Sequence, residues 1–209
     1  MNDKKKILSD ALLHLCKSKS LDAVTVTEIT LKAKVTRQIF YRYFSDKYDL
    51  AKYIHLQDYY SALDSLEEDE ARGIVMWAKV SRLWFEVIKK NAKFYQNIYR
   101  SNSGGEFKRI MRSYITNFYL EIVHRQLADE ERPDLMFVIQ LYLAGVTEKI
   151  NEWIEGGAKY PVDELHQLLY MAMPEAIRGI ILFNEMDKKT AKEIAISVYP
   201  NPPFLLSGK

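Results

Sequence analysis

The sequence predicts an all-α protein: an N-terminal three-helix head on a larger helical body. Three observations carry this. Apolar residues recur every three or four positions along most of the chain, and no segment alternates with the period of two that marks a strand. Punctuation is sparse, with eight glycines and six prolines in 209 residues, three of those prolines in the last ten. Helix-start signals, a Ser/Thr-x-x-Glu box at Thr25–Glu28 and a capping Thr36, stand where the apolar periodicity resumes.

The first helix is expected from about Asp3 to Lys17, with Ile7, Leu8, Ala11, Leu12, Leu15 and Cys16 on one face. "SKSLDAV" interrupts it. Thr25 and Glu28 then form a capping box for a short helix reaching about Ala33. Thr36 caps a third, very short helix to about Tyr43, and "SDK" restarts the chain as a long helix from Asp46 to about Leu66. The acidic "EEDEAR" opens a fifth helix that runs to Lys90, negative charge suiting its N-terminal dipole. A short helix from Asn91 to about Arg100, the loop "SNSGGE", and a helix from about Glu106 to Ala128 follow. "DEERPD" is a turn. Two strongly apolar helices come next, about Asp134–Ile154 and about Val162–Phe183, the second kinked at Pro174. A last helix from about Lys188 to Val198 precedes a frayed tail.

Composition narrows the function. Cys16 is the single cysteine, so no internal disulfide or multi-cysteine zinc site forms, and its apolar neighbours make it a core residue. The start "MNDKKKILSD" reaches an Asp before any long apolar run, and no stretch approaches the roughly 20 apolar residues of a membrane span. A cytoplasmic protein without a membrane partner is expected. His14, His55, His124 and His166 lack metal-ligand spacing, and no Gly-x-Gly-x-x-Gly, P-loop or Gly-x-Ser-x-Gly motif occurs. No enzyme activity, cofactor or metal is therefore expected. Charge is uneven: residues 1–50 carry ten Lys/Arg against six Asp/Glu, a net of +4 on a chain whose total is +2. A basic head on a mildly acidic body suits a phosphate-facing module.

The stretch "VTRQIFYRYFSDKYDL" shows what the head faces. Val26, Ile29 and Ala33 line one side of the second helix, and Val35, Ile39, Phe40 and Phe44 one side of the connection and third helix. Only "KVT" separates the two helices, the tight spacing of a helix-turn-helix. Once Ile39, Phe40 and Phe44 face inward, Arg37, Gln38, Tyr41, Arg42 and Tyr43 project elsewhere. Arginine and glutamine reach base edges; tyrosine hydroxyls and Lys47 suit the phosphate backbone.

Over roughly the first 50 residues, "TVTEITLKAKVTRQIFYRYFSDKYDL" resembles the DNA-binding head of the TetR/AcrR family of regulators. Thr25, Val26, Ile29, Ala33, Val35, Thr36, Phe40, Tyr41, Tyr43, Phe44, Lys47 and Leu50 occupy the matching positions. Lys34 stands where that family usually has a turn glycine, a substitution worth about 1 kcal/mol at positive φ. Arg37-Gln38 and the Tyr-Asp-Leu ending are similar to the branch of dihydroxyacetone-kinase activators. The resemblance implies a helix-turn-helix domain over 1–50 and an effector-binding and dimerisation domain over 51–209. It implies that Thr36, Tyr41 and Lys47, with Thr25 or Thr27, clamp phosphates of double-stranded operator DNA. Arg37, Gln38, Arg42 and Tyr43 would sit in or beside the groove.

A short recognition helix reads few base pairs, so two subunits must pair. The closing helices are apolar on more than one face, which suits both a core and a partner. The resemblance implies a homodimer through a four-helix bundle, for which Leu135, Val138, Leu141, Tyr142, Gly145, Val146, Leu169, Met173, Ile177 and Ile180 are the candidates. It also implies a small-molecule effector in the aromatic middle of the chain, with Trp77, Trp84, Tyr95, Tyr114, Phe118 and Tyr119 as candidate lining. The expected function is a repressor released from a palindromic operator by that effector. Two alternatives stand: an activator working with a partner protein, and a TetR-like ligand- or protein-binding module without specific DNA.

Overall fold

The computed structural model describes residues 3–66, 73–127, 132–182 and 188–197. The acidic "EEDEAR" opening and the tail fall outside these residues, as do the first three residues of the "DEERPD" turn. Among the described residues every regular element is a helix, as predicted.

Three helices build the head: α1 (Asp3–Leu15), α2 (Val26–Ala33) and α3 (Arg37–Tyr43). α4 (Lys47–Asp64) leads from it into the body. α1 packs on α2 and α4, and α2 on α3. Leu8, Leu12, Leu21, Val24, Ile29, Phe40 and Leu50 are fully buried between them. α2 begins as the sequence predicts: the Thr25 hydroxyl accepts from Glu28 N at 3.2 Å, and the Glu28 carboxylate accepts from Thr25 N at 2.9 Å. Lys19 also donates to that carboxylate. The Lys19 ammonium, and then the Thr25 backbone N–H and hydroxyl, hold the Glu28 carboxyl down at about 2. Because its unfolded value is about 4.3, the contribution of Glu28 to stability is complete above that value. It is lost as pH falls through about 2. A carboxyl-detected NMR titration of Glu28 is expected to show a midpoint near 2, and a midpoint above 4 would mean the box is not formed.

Lys34 closes α2 in the left-handed region, φ 53° and ψ 44°. Its N–H donates to Leu31 O at 3.2 Å and the Val35 N–H to Thr30 O at 3.0 Å, the paired bonds of a Schellman cap. The helix Pro133–Glu155 ends in the same motif, but there the left-handed residue is Gly157, φ 84°. The head therefore keeps the usual turn geometry and carries the strain of a Cβ. Lys34→Gly is expected to stabilise the protein by about 1 kcal/mol. In a chain of this size that raises the melting temperature by roughly 2–4 °C. A calorimetric scan checks it, and a fall in melting temperature would contradict it.

The body comprises α5 (Gly73–Lys90), α6 (Ala92–Tyr99), α7 (Gly104–Leu127), α8 (Pro133–Glu155), α9 (Val162–Met171), α10 (Glu175–Leu182) and α11 (Lys188–Ser197). α5 packs on α4, α9 and α10, and α7 on α6, α8, α10 and α11. One apolar core runs from the head into the body, and a second, smaller one fills the space between α7, α8 and α10.

Several predicted helix ends differ by one or two residues, α1 closing at Leu15 and α4 at Asp64 among them, and two differences have a clear structural cause. α7 starts two residues early, because Gly104 and Gly105 are helical rather than loop. A Cβ on Gly104 would lie 2.3 Å from Tyr99 O, so only glycine lets α7 leave this close to the end of α6. The predicted kinked helix over 162–183 is two helices. Pro174 lacks the N–H that would continue α9, and its own carbonyl instead accepts from Ile177 N and Arg178 N to start α10.

Candidate nucleic-acid interface, pairing face and aromatic interior

α3 sorts its side chains as its spacing requires. Phe40 is 0% exposed and Phe44 is buried against Tyr53, ring centroids 5.3 Å apart. Thr36 caps the helix, its hydroxyl accepting from Ile39 N at 3.3 Å. Arg37, Gln38, Tyr41 and Arg42 all point to solvent, Tyr41 at 50% exposure. Arg37 lies 5.8 Å over the Tyr41 ring and donates to its hydroxyl at 3.4 Å. This pair, one helical turn apart, holds a guanidinium beside a phenol on the outer face. Thr27 on α2 and Thr36 at the start of α3 are exposed as well.

The remaining candidates are engaged by the protein itself. The Thr25 hydroxyl belongs to the capping box. Tyr43 is half-buried, with the Lys5 ammonium 5.8 Å from its ring centroid. Lys47 does not point outward: its ammonium donates to the carbonyls of Asp22 at 2.6 Å and Val24 at 2.7 Å. Two of its three donors are thus committed to the α1–α2 connection.

The closing helices sort differently from expectation. Leu135, Leu169, Met173 and Ile177 are buried within the single chain, and Tyr142 donates to Leu169 O at 2.9 Å. Val138, Val146 and Ile180 are half-buried. Leu141 and Gly145 do face out, with nothing near where a Cβ on Gly145 would sit. Phe137 at 67% and Leu141 at 65% exposure form an i, i+4 pair on α8, and Leu168 and Met171 are exposed on α9. Sequence reasoning missed Phe137, Leu168 and Met171. The signal was present, since Phe137 lies one turn before Leu141.

The six aromatic candidates do not meet at one point. Trp84 and Tyr95 are buried in the large core, with Tyr114 packed against it; Trp77 and Tyr119 pack against the small core. Phe118 meets Tyr119 at 5.6 Å. Trp77 meets His166 in a tilted contact, ring centroids 4.5 Å apart. At the centre of the large core sits His55, 5.4 Å from Trp84 and 5.3 Å from both Tyr95 and Phe107. Burial pushes its imidazole down to about 3, so it is neutral at physiological pH. Beside it Tyr95 donates to the Asp58 carboxylate, which burial raises to about 6 despite that bond. His55 Nδ1 and Trp84 Nε1 are buried without a hydrogen-bond partner. Among the described residues no group of three or more His, Cys, Asp or Glu is placed to hold a metal, and no helix is long and apolar enough to cross a membrane.

Residues 8–54 match the model for bacterial regulatory proteins of the tetR family, and residues 76–175 match that for a transcriptional regulator C-terminal region. A curated relative is the HTH-type dhaKLM operon transcriptional activator DhaS of Lactococcus lactis subsp. lactis, 28% identical over 94 residues. That match spans 45% of this chain and about half of the relative, 48% of its length. Among solved structures, a dihydroxyacetone kinase operon activator DhaS superposes with a TM-score of 0.62 at 19% identity, covering 87% of this chain and 98% of that one. A tetR-family transcriptional regulator from Streptomyces coelicolor gives 0.56 at 18% identity over 97% of each chain. The fatty acid degradation regulator FadR from Bacillus halodurans gives 0.52 at 17% identity, over 79% of this chain and 94% of that one. At these identities the superpositions speak to the fold.

Proposed function

This chain belongs to the tetR family of bacterial regulatory proteins, and on that premise we propose that it binds a palindromic operator as a homodimer and is released by a small-molecule effector. The observation that carries the DNA-binding part is the outer face of α3. Arg37, Gln38, Tyr41 and Arg42 share it while Phe40 and Phe44 hold the helix from behind. Arg37 and Gln38 have the donors to read base edges, and Tyr41, Arg42, Thr27 and Thr36 suit phosphates. Lys47 acts mainly by bracing the head, with a third donor left for a phosphate.

The boundary near residue 50, dividing a DNA-binding domain over 1–50 from an effector-binding and dimerisation domain over 51–209, is part of this proposal. The two family matches, which end at 54 and begin at 76, support it. Phe137, Leu141, Leu168 and Met171 support pairing, being large apolar side chains held in water. The partnerless nitrogens of His55 and Trp84, set among aromatic rings, support an effector site in the body, since buried polar groups normally find partners. An effector would release the operator by binding the wide-spaced state of the dimer better. A second reading, activation together with a partner protein, is favoured by the likeness to DhaS.

Titration of a fluorescent duplex, recovered by selection from a random pool, tests the proposal. Affinity is expected to fall steeply with salt, log Kobs against log[salt] having a slope near −0.9 for each phosphate neutralised. A flat salt response, or no duplex recovered, would leave a ligand- or protein-binding module without specific DNA.

A further inference from the structure

Side chains outside the DNA-binding face fasten the α1–α2 connection to the body. The carbonyls that follow a helix have no partner within it, and here Asn97 of α6 supplies one. Its Nδ2 donates to Cys16 O and to Lys19 O, each at 2.9 Å. Three residues on, the Asp22 carboxylate accepts from the backbone N–H of Asn102, between α6 and α7, at 3.1 Å. It also accepts from the Tyr48 hydroxyl on α4 at 2.7 Å. The connection is thus gripped from α4 by Lys47 and Tyr48, and from the α6–α7 corner by Asn97 and Asn102.

Beside this grip lies a cleft of about 190 Å³. Asp46, Tyr48 and Lys52 line it from the α4 side, Ser101, Ser103 and Glu106 from the α6–α7 side. The cleft leaves room for the start of α4 to move against α6 and α7. The hydrogen bonds from Asn97 and Asn102 oppose that movement. Such bonds are exposed or half-exposed, so water can replace them, unlike the apolar contacts of the core.

We propose that Asn97 and Asp22 form a latch that fixes the angle of the helix-turn-helix on the body, and through it the distance between the two recognition helices of a dimer. The proposal rests on the reading of a DNA-binding dimer given above. Neither residue touches DNA in that reading; both are positioning residues. Since α3 belongs to the same packed head as the latch, a rotation of the head on the body moves α3 along the duplex. Paired half-sites tolerate such displacement poorly, because each must meet its helix on one face of the DNA. An effector that shifted α6 would act on Asn97 directly.

The test is selection from a library in which the two half-sites preferred by the wild type are separated by spacers of varied length. Asn97→Asp keeps the size of the side chain but turns an acceptor toward two carbonyls; Asp22→Asn is the milder change. Wild type is expected to recover one spacing. Asn97→Asp is expected to lose about tenfold of that discrimination, the scale that one or two lost hydrogen bonds supply. The half-site sequence should be unchanged, a combination that a merely weakened fold would not give. Hydrogen exchange over residues 17–24 should quicken in both variants. Wild-type spacing preference in both variants would overturn the latch while leaving the dimer reading intact. Wild-type protein that selects no paired half-sites would instead sink the dimer reading, and unchanged exchange over 17–24 would still sink the latch.

Discussion

Phe137→Glu combined with Leu141→Glu is expected to leave a folded subunit that no longer pairs. Both side chains are two-thirds exposed and one turn apart on α8. Neither fills a gap in the subunit's own core, so their loss costs the fold little. In a dimer they would be central, and large apolar anchors at interface centres are each worth about 2 kcal/mol or more. Two such losses weaken pairing roughly 1,000-fold. The open space over Gly145, one turn beyond Leu141, lets a helix of a second copy approach closely along the same face of α8. On the proposed pairing, sedimentation velocity is expected to show wild type as a dimer and the variant as a monomer at the same concentration, with unchanged helical circular dichroism. Operator affinity should fall with it, since one short helix reads only a half-site. A variant that stays dimeric would place the interface elsewhere.

The second large effect separates structure from recognition within one helix. Phe40→Ala removes a fully buried ring that meets Tyr41 at 5.4 Å and Phe44 at 5.9 Å. Buried Phe→Ala changes cost about 3–5 kcal/mol, which for a chain of this size lowers the melting temperature by roughly 6–20 °C. Tyr41→Ala, at the next position, removes a half-exposed ring and the contact with Arg37. It is expected to change stability by less than about 1 kcal/mol while still weakening duplex binding. Denaturant unfolding and fluorescence titration on both variants separate the two roles. Equal destabilisation by both would mean that the tyrosine, too, belongs to the core.

The head was readable because its signals are local. A capping box spans four residues, and Thr25 with Glu28 declares it without reference to the rest of the chain. Phe40 and Phe44 lie one turn apart, so periodicity alone turns them to the same side. Lys34 could be placed in the turn because "KVT" leaves room for nothing longer. The body was less readable because its helices are apolar on several faces. Periodicity shows that Leu135, Phe137, Leu141, Met173 and Ile177 are apolar; it does not say which of them a neighbouring helix covers. Leu135, Met173 and Ile177 turned out to fill the small core between α7, α8 and α10, leaving Phe137 and Leu141 outside. Pro174 added to the difficulty. By ending α9 it resets the helical phase, so positions before and after it do not share a stripe.

Lys47 and Asn97 expose a different limit. A lysine at the start of a helix in a basic head reads as a surface charge. Its real neighbours, the Asp22 and Val24 carbonyls, lie more than 20 residues away in sequence. Asn97 reaches carbonyls about 80 residues away. Contacts of that range follow from how α6 packs against the head, which no local pattern encodes. His55 is similar: its place amid Trp84, Tyr95 and Phe107 depends on three other helices.

Parallel selections of DNA from one random pool, with wild-type protein and with Arg37→Ala, test most directly whether the outer face of α3 reads sequence. A two-fold symmetric consensus is predicted for wild type. Arg37→Ala should lose information at the same one or two positions of each half-site, with about 1–3 kcal/mol less discrimination there, and keep the rest. An identical consensus from both proteins would contradict the account.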